Sequence, residues 1–234
     1  MTTTTGNMPV EKRPRVPRTK GILFDLDGVL IDSEPLHEFS LLQLSDRFGR
    51  RFGQDELLQF KGLPELSVAQ AIQKSFPELA LTTDEIIRLR LGLLKSNFHR
   101  VEMVEGALEF VQRAKAAGFR LGLTTSAARS MQQLACETFA LSSYFDTVIT
   151  GEDIERGKPD PQPYERTAAN LSLRPDECMV IEDAVNGVKS GKAAGCFVVG
   201  ITTSFAGQAL KLAGADLIVP SFTSLEAYLF EGSG

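Results

Sequence analysis

Two textures alternate along this chain from residue 20 onward, and that alternation limits the fold more than any other feature. Short runs rich in β-branched and aromatic residues lie at 21–24, 119–124, 147–150, 178–181, 197–201 and 217–219. Helical patterns at 106–117, 127–140, 161–171, 185–194, 205–213 and 223–230 separate the later runs. Strand and helix in strict alternation predict an α/β fold, a doubly wound parallel sheet with helices on both faces. Such a sheet binds ligands at the carboxyl ends of its strands.

The alternation breaks once, over 34–104, where helices are predicted near 35–48, 54–60, 66–76 and 84–98. Thr82 and Glu85 have the spacing of a capping box, and Ile86, Ile87, Leu89, Leu93 and Leu94 offer an apolar face. The reading is therefore a core made of 20–33 and 105–234 with an all-helical insertion at 34–104. A chain of 234 residues has room for both.

Residues 1–19 form a predicted disordered leader, with a threonine run, Pro9, Pro14, Pro17 and almost nothing apolar. It lacks the apolar stretch of a secretory signal, and its prolines oppose the amphipathic helix of a transit peptide. The net charge of -5 is uneven: residues 1–20 hold five Lys or Arg against one Glu, leaving 20 basic and 29 acidic residues beyond them. A body that acidic is a poor nucleic-acid binder. No run is long enough to span a membrane. Cys136, Cys178 and Cys196 are odd in number and set in apolar surroundings, which predicts buried, reduced thiols and a cytoplasmic protein. The oligomeric state stays open, with a monomer compatible.

Four segments place chemistry at strand ends. The run 21–24 leads into Asp25 and Asp27, followed by Gly28, where a sharp turn is expected. Two acids so placed repel unless a cation lies between them, and Mg2+ suits both the oxygen ligands and a phosphate ester. The second segment runs from Leu121 into Thr124, Thr125 and Ser126. Its hydroxyls and following N–H groups either hold phosphate oxygens or simply cap a helix. The third, Gly157-Lys158-Pro159-Asp160-Pro161, presents a lysine on a stiff loop. In the fourth, Glu182 and Asp183 follow an apolar strand, with Asn186 just beyond, and these acids suit metal ligation or a helix N-terminus.

In this order the four segments resemble the haloacid dehalogenase superfamily, in its capped branch of sugar-phosphate phosphatases and beta-phosphoglucomutases. The resemblance implies a Mg2+-dependent phosphatase acting on a small-molecule phosphate ester through an aspartyl-phosphate. Asp25 would be the nucleophile and Asp27 the general acid and base, with its backbone carbonyl on the metal. Thr125, Ser126 and Lys158 would bind phosphate. Asp183 would coordinate the metal beside Asp25, and Glu182 directly or through a water. Asn186 would orient its loop or touch phosphate.

The insertion would be the family's cap. His37 falls where mutases carry a histidine that assists the acid, or else it is a helix-surface histidine. The loop Lys61-Gly62-Leu63-Pro64-Glu65 corresponds to the specificity loop, where mutases have an arginine for a distal phosphate and this chain has Glu65 near that point, with Pro64 before it. That difference favours a hydrolase over a mutase, unless Arg88, Arg90, Lys95 or Arg100 on the last cap helix substitutes. A dehalogenase would need neither Asp27 nor Asp183. A receiver domain would be shorter and uncapped, and a silent binding module would not need the whole set.

Overall fold

All four residues of β1 (Gly21–Phe24) are buried in the computed structural model, which describes residues 19–230. Residues 1–18 of the predicted leader lie outside the described residues. β1 pairs in parallel with β4 (Arg120–Thr124) on one edge and β6 (Cys178–Glu182) on the other. A strand covered on both faces reads as a continuous apolar run, which is why this one does not alternate with polar residues. With β5 (Thr147–Ile149), β7 (Phe197–Ile201) and β8 (Leu217–Val219), the sheet has the order β5-β4-β1-β6-β7-β8, every pair parallel.

The two faces of β1 feed two cores. Ile22 and Phe24 pack with α5 (Ala107–Ala116), α6 (Arg129–Thr138) and α10 (Phe222–Leu229), through Phe110, Val111, Ala135 and Phe222. Phe24 meets the Phe110 and Phe145 rings edge-on, at centroid distances of 6.0 and 5.9 Å. Leu23 faces the other way, toward α7 (Gln162–Asn170), α8 (Val185–Ala193) and α9 (Gly207–Leu212), meeting Tyr164, Ala168, Val188 and Leu210. Each of the Leu, Ile, Val and Phe side chains among these contributes about 1.5–3 kcal/mol on full burial.

The helical insertion comprises α1 (Glu34–Arg47), α2 (Gln54–Phe60), α3 (Glu65–Ser75) and α4 (Thr83–Ser96). It has its own apolar cluster, with Leu44, Phe52, Ile72, Phe76 and Ile86 at its centre. The predicted capping box is formed: the Glu85 N–H donates to Thr82 Oγ1 at 3.3 Å, and the Thr82 N–H donates to Glu85 Oε2 at 2.8 Å. Arg90, on the same helix, is buried rather than surface-facing.

Three details depart from the sequence reading. The insertion leaves and re-enters the core through an antiparallel pair of two-residue strands, β2 (Ile31–Asp32) and β3 (Glu102–Met103). Strands that short carry no periodicity to read. α6 begins at Arg129 rather than 127, because Ala128 is extended, so residues 125–128 form a loop. Arg100 lies not on α4 but in the 3₁₀ turn Phe98–Arg100, its guanidinium 4.3 Å from the centroid of the Phe39 ring. Cys136, Cys178 and Cys196 are free and buried, as expected. Among the described residues no helix is long and apolar enough to cross a membrane.

Candidate active site

β1, β4 and β6 end side by side where the sheet order reverses, so the residues just past them converge. Asp25 continues β1, its N–H donating to the Ile181 carbonyl at 3.1 Å, and is 7% exposed. Gly28 turns the chain with φ +74°, and a Cβ there would lie 1.9 Å from Asp183 Oδ2. Glycine is required at that point for conformation and space together. Gly187, in the first turn of α8, makes similar room: a Cβ there would lie 1.8 Å from Glu182 Oε1.

Lys158 ties the strand ends together. Its ammonium donates to Asp25 Oδ1 at 2.6 Å, Glu182 Oε1 at 2.6 Å and the Thr124 carbonyl at 3.0 Å. Beneath it lies Tyr164, fully buried, with its hydroxyl donating to Glu182 Oε1 at 2.6 Å and its ring centroid 5.0 Å from the ammonium. The Lys158–Pro159 peptide is cis. Burial would lower the Lys158 pKa, but Asp25 and Glu182 raise it above the ordinary lysine value. This cation is therefore fixed in charge and in place.

One cation does not balance three carboxylates. Asp25, Glu182 and Asp183 are all buried, with ligand oxygens within 4.8 Å of one another. Burial, with Glu182 and Asp27 adding to it and Lys158 opposing, pushes Asp25 up to about 7. Asp183 is pushed well above the carboxylate range by burial and then by Glu182 and Asp25. Lys158 engages one oxygen of Asp25, and Glu182 Oε1 is shared by Lys158 and Tyr164. A hard divalent ion fits here: crowded carboxylate oxygens with an unfavourable shared charge are what Mg2+ or a similar cation neutralises. Asp25 and Asp183 would hold it, with Glu182 beside them.

Asp27 points away from this cluster toward the insertion. Ser33 donates to its Oδ1 at 2.5 Å, and His37 Nε2 lies 3.7 Å from the same oxygen. Burial works to raise its pKa, yet His37 and the Ser33 hydroxyl prevail and hold it below the usual value. Arg90 on α4 donates to His37 Nδ1 at 2.7 Å and pairs with Glu65 on α3. His37 is thus no idle surface residue, since it bridges the insertion and Asp27. Arg90 is spoken for by Glu65.

All the predicted site residues border one cavity of about 260 Å³ between the sheet and the inserted helices: Asp25, Asp27, Thr125, Ser126, Lys158, Glu182, Asp183 and Asn186 from the core, His37, Lys61 and Gly62 from the insertion. Thr125 Oγ1 accepts the Ala127 N–H at 3.0 Å, so the donors near Thr125 and Ser126 belong to a loop and not to a helix start. The Lys61 ammonium lies 5.6 Å from the Phe205 ring centroid, and Gly62 turns against the same ring. The sequence reading missed Tyr164, the Glu65–Arg90 pair and the role of Ser33. Only Ser33 left a signal, as a hydroxyl six residues beyond Asp27 and just before the first inserted helix.

A family model described as haloacid dehalogenase-like hydrolase matches residues 22–201. The chain is similar to the validoxylamine A 7'-phosphate phosphatase of Streptomyces hygroscopicus subsp. limoneus, at 32% identity over 88% of this chain and 95% of that one. It is also 32% identical to a phosphorylated carbohydrates phosphatase of Thermotoga maritima, over 86% of this chain and 94% of that protein. In fold it resembles a hydrolase from Pseudomonas syringae, with a TM-score of 0.80 at 19% identity over 92% and 100% of the two chains. The Rhodobacter sphaeroides protein CbbY, solved with phosphate, gives a TM-score of 0.73 at 23% identity over 88% and 96%.

Proposed function

The chain belongs to the haloacid dehalogenase-like hydrolases, and on that footing we propose that it is a Mg2+-dependent phosphatase of small phosphorylated carbohydrates, working through a phosphoryl group carried on Asp25. The observation that carries this reading is the bridge from Lys158 to Asp25 and Glu182, with Asp183 alongside, at the ends of three adjacent strands. A divalent cation held by Asp25 and Asp183 would neutralise the crowded carboxylates and draw the anionic substrate toward them.

Asp25 attacks phosphorus, and the bond from phosphorus to the leaving oxygen breaks as the aspartyl oxygen bonds to it. Lys158 spreads positive charge over the nucleophile and the equatorial oxygens, and the loop at Thr125 and Ser126 supplies neutral donors. Asp27 protonates the leaving oxygen, then takes a proton from the water that attacks the phosphoryl group and frees Asp25. Its depressed pKa suits the second duty. For the first, Asp27 must exchange the Ser33 bond and the His37 contact, which hold its charged form, for the leaving oxygen. The helical insertion acts as the lid that keeps bulk water out during the first step. The buried free thiols fit a reducing, cytoplasmic setting.

A mutase would need a cation to grip a distal phosphate. Near that point of the loop this chain has Glu65, paired with Arg90, so hydrolysis is the better reading. Phosphate release from a panel of sugar monophosphates, with Mg2+ or with a chelator, tests it. Release is expected with Mg2+ alone, and Asp25→Asn is expected to lower it on the order of 10³-fold or more with the fold retained. Near-normal turnover by that variant would remove Asp25 from the reaction.

A further inference from the structure

We propose that Glu65 and Arg90 form a hydroxyl-reading subsite at the insertion end of the cavity, selecting esters whose leaving group is an uncharged polyol. This deepens the phosphatase reading and rests on it. Glu65 opens α3 and Arg90 sits within α4, and the packing of those helices brings them together. Arg90 is only 3% exposed, with one terminal nitrogen on Glu65 and the other on His37 Nδ1. Yet Arg90 Nε and Glu65 Oε1 are both buried without a hydrogen-bond partner, and both residues line the cavity. Buried polar atoms are nearly always satisfied, so a paired exception beside a cavity marks where a ligand's groups belong.

One orphan is a donor and the other an acceptor. A hydroxyl does both, and neighbouring hydroxyls on a carbon chain can satisfy the two atoms at once. A fully ionised phosphate only accepts, and would face the Glu65 carboxylate. The charges at this end point the same way: Glu34, Glu38 and Glu65 border the cavity against Lys61 and Arg90, so a second dianionic group finds no net attraction. The pair is thus a counterpart to the core: Lys158 and the cation site accept the anionic end, and Glu65 with Arg90 reads the neutral one.

The full-length protein, with Mg2+, would be assayed on a hexitol monophosphate, an alkyl monophosphate of equal chain length, p-nitrophenyl phosphate and a hexose bisphosphate. The expected kcat/KM for the hexitol ester exceeds that for the alkyl ester by about 10- to 100-fold. In Glu65→Gln that preference is expected to collapse, mostly through KM, while the bisphosphate gains relative to the monophosphate because the Arg90 charge is no longer matched. Glu65→Asp, which keeps the charge and shortens its reach, is expected to lose the hexitol preference without any gain for the bisphosphate, and serves should the glutamine variant not fold. Equal turnover of hexitol and alkyl esters by the unmodified protein, or a parallel loss on every substrate in the variants, overturns the subsite while leaving the phosphatase standing. Failure of Mg2+-dependent hydrolysis on all four substrates overturns both.

Discussion

Tyr164 shows how much of the site is set by one side chain that touches no substrate. Its hydroxyl supplies Glu182 Oε1 with a second donor, and that oxygen in turn helps hold the Lys158 ammonium. Tyr164→Phe leaves the buried carboxylate oxygen with one donor fewer. The expected outcome is a loss of about 1.5–3 kcal/mol in urea unfolding of the cation-free protein, with kcat lowered more than KM. Unchanged stability and kcat would show that Glu182 does not depend on the tyrosine. Asp25, Lys158 and Asp183 could be read from sequence because each stands directly after an apolar strand or on a proline-stiffened loop. Tyr164 and Glu182 are 18 residues apart, and Arg90 and Glu65 are 25 apart. Pairings at those separations leave no local pattern, since tertiary packing alone creates them.

At the level of elements, α8 shows function outweighing helix propensity. Gly187→Ala would ordinarily favour a helix by about 1 kcal/mol, yet the new Cβ would lie 1.8 Å from a Glu182 oxygen that Lys158 and Tyr164 hold fast. The expected result is a lower melting temperature and reduced phosphate release; a rise in both would show that Glu182 relocates freely. The long elements were legible because their periods are strong: the six parallel strands and the helices of both cores fall within a few residues of the pattern. What escaped were short pieces governed by neighbours. β2 and β3 exist because Ile31 and Met103 find each other across the base of the insertion. α6 starts late because Ala128 is extended and the Glu152 carboxylate accepts the Arg129 N–H at 3.1 Å.

For the whole molecule, the carboxylate cluster sets a trade between stability and pH. The folded state raises Asp25 from 3.8 to about 7, so it binds that proton more tightly than the unfolded chain does. Its contribution is complete below the unfolded pKa and is lost as pH rises through about 7. Without a divalent cation, Asp25→Asn is therefore expected to be more stable to unfolding than the unsubstituted protein at neutral pH, by about 1 kcal/mol or more, with the gap closing toward pH 4. Mg2+ should raise the unsubstituted protein's melting temperature more at neutral pH than at mildly acid pH. A cation-free difference independent of pH would contradict the raised Asp25. The paired strands β2 and β3 have a further consequence, because the outgoing and returning chains are bonded to each other and not merely close. If the four helices swing as the proposed lid, that pair is where the swing would pivot, and substrate entry, product exit and shelter from solvent would then be stages of one rotation. A substitution at Ile31 or Met103 that loosened the pair would then be expected to change all three together.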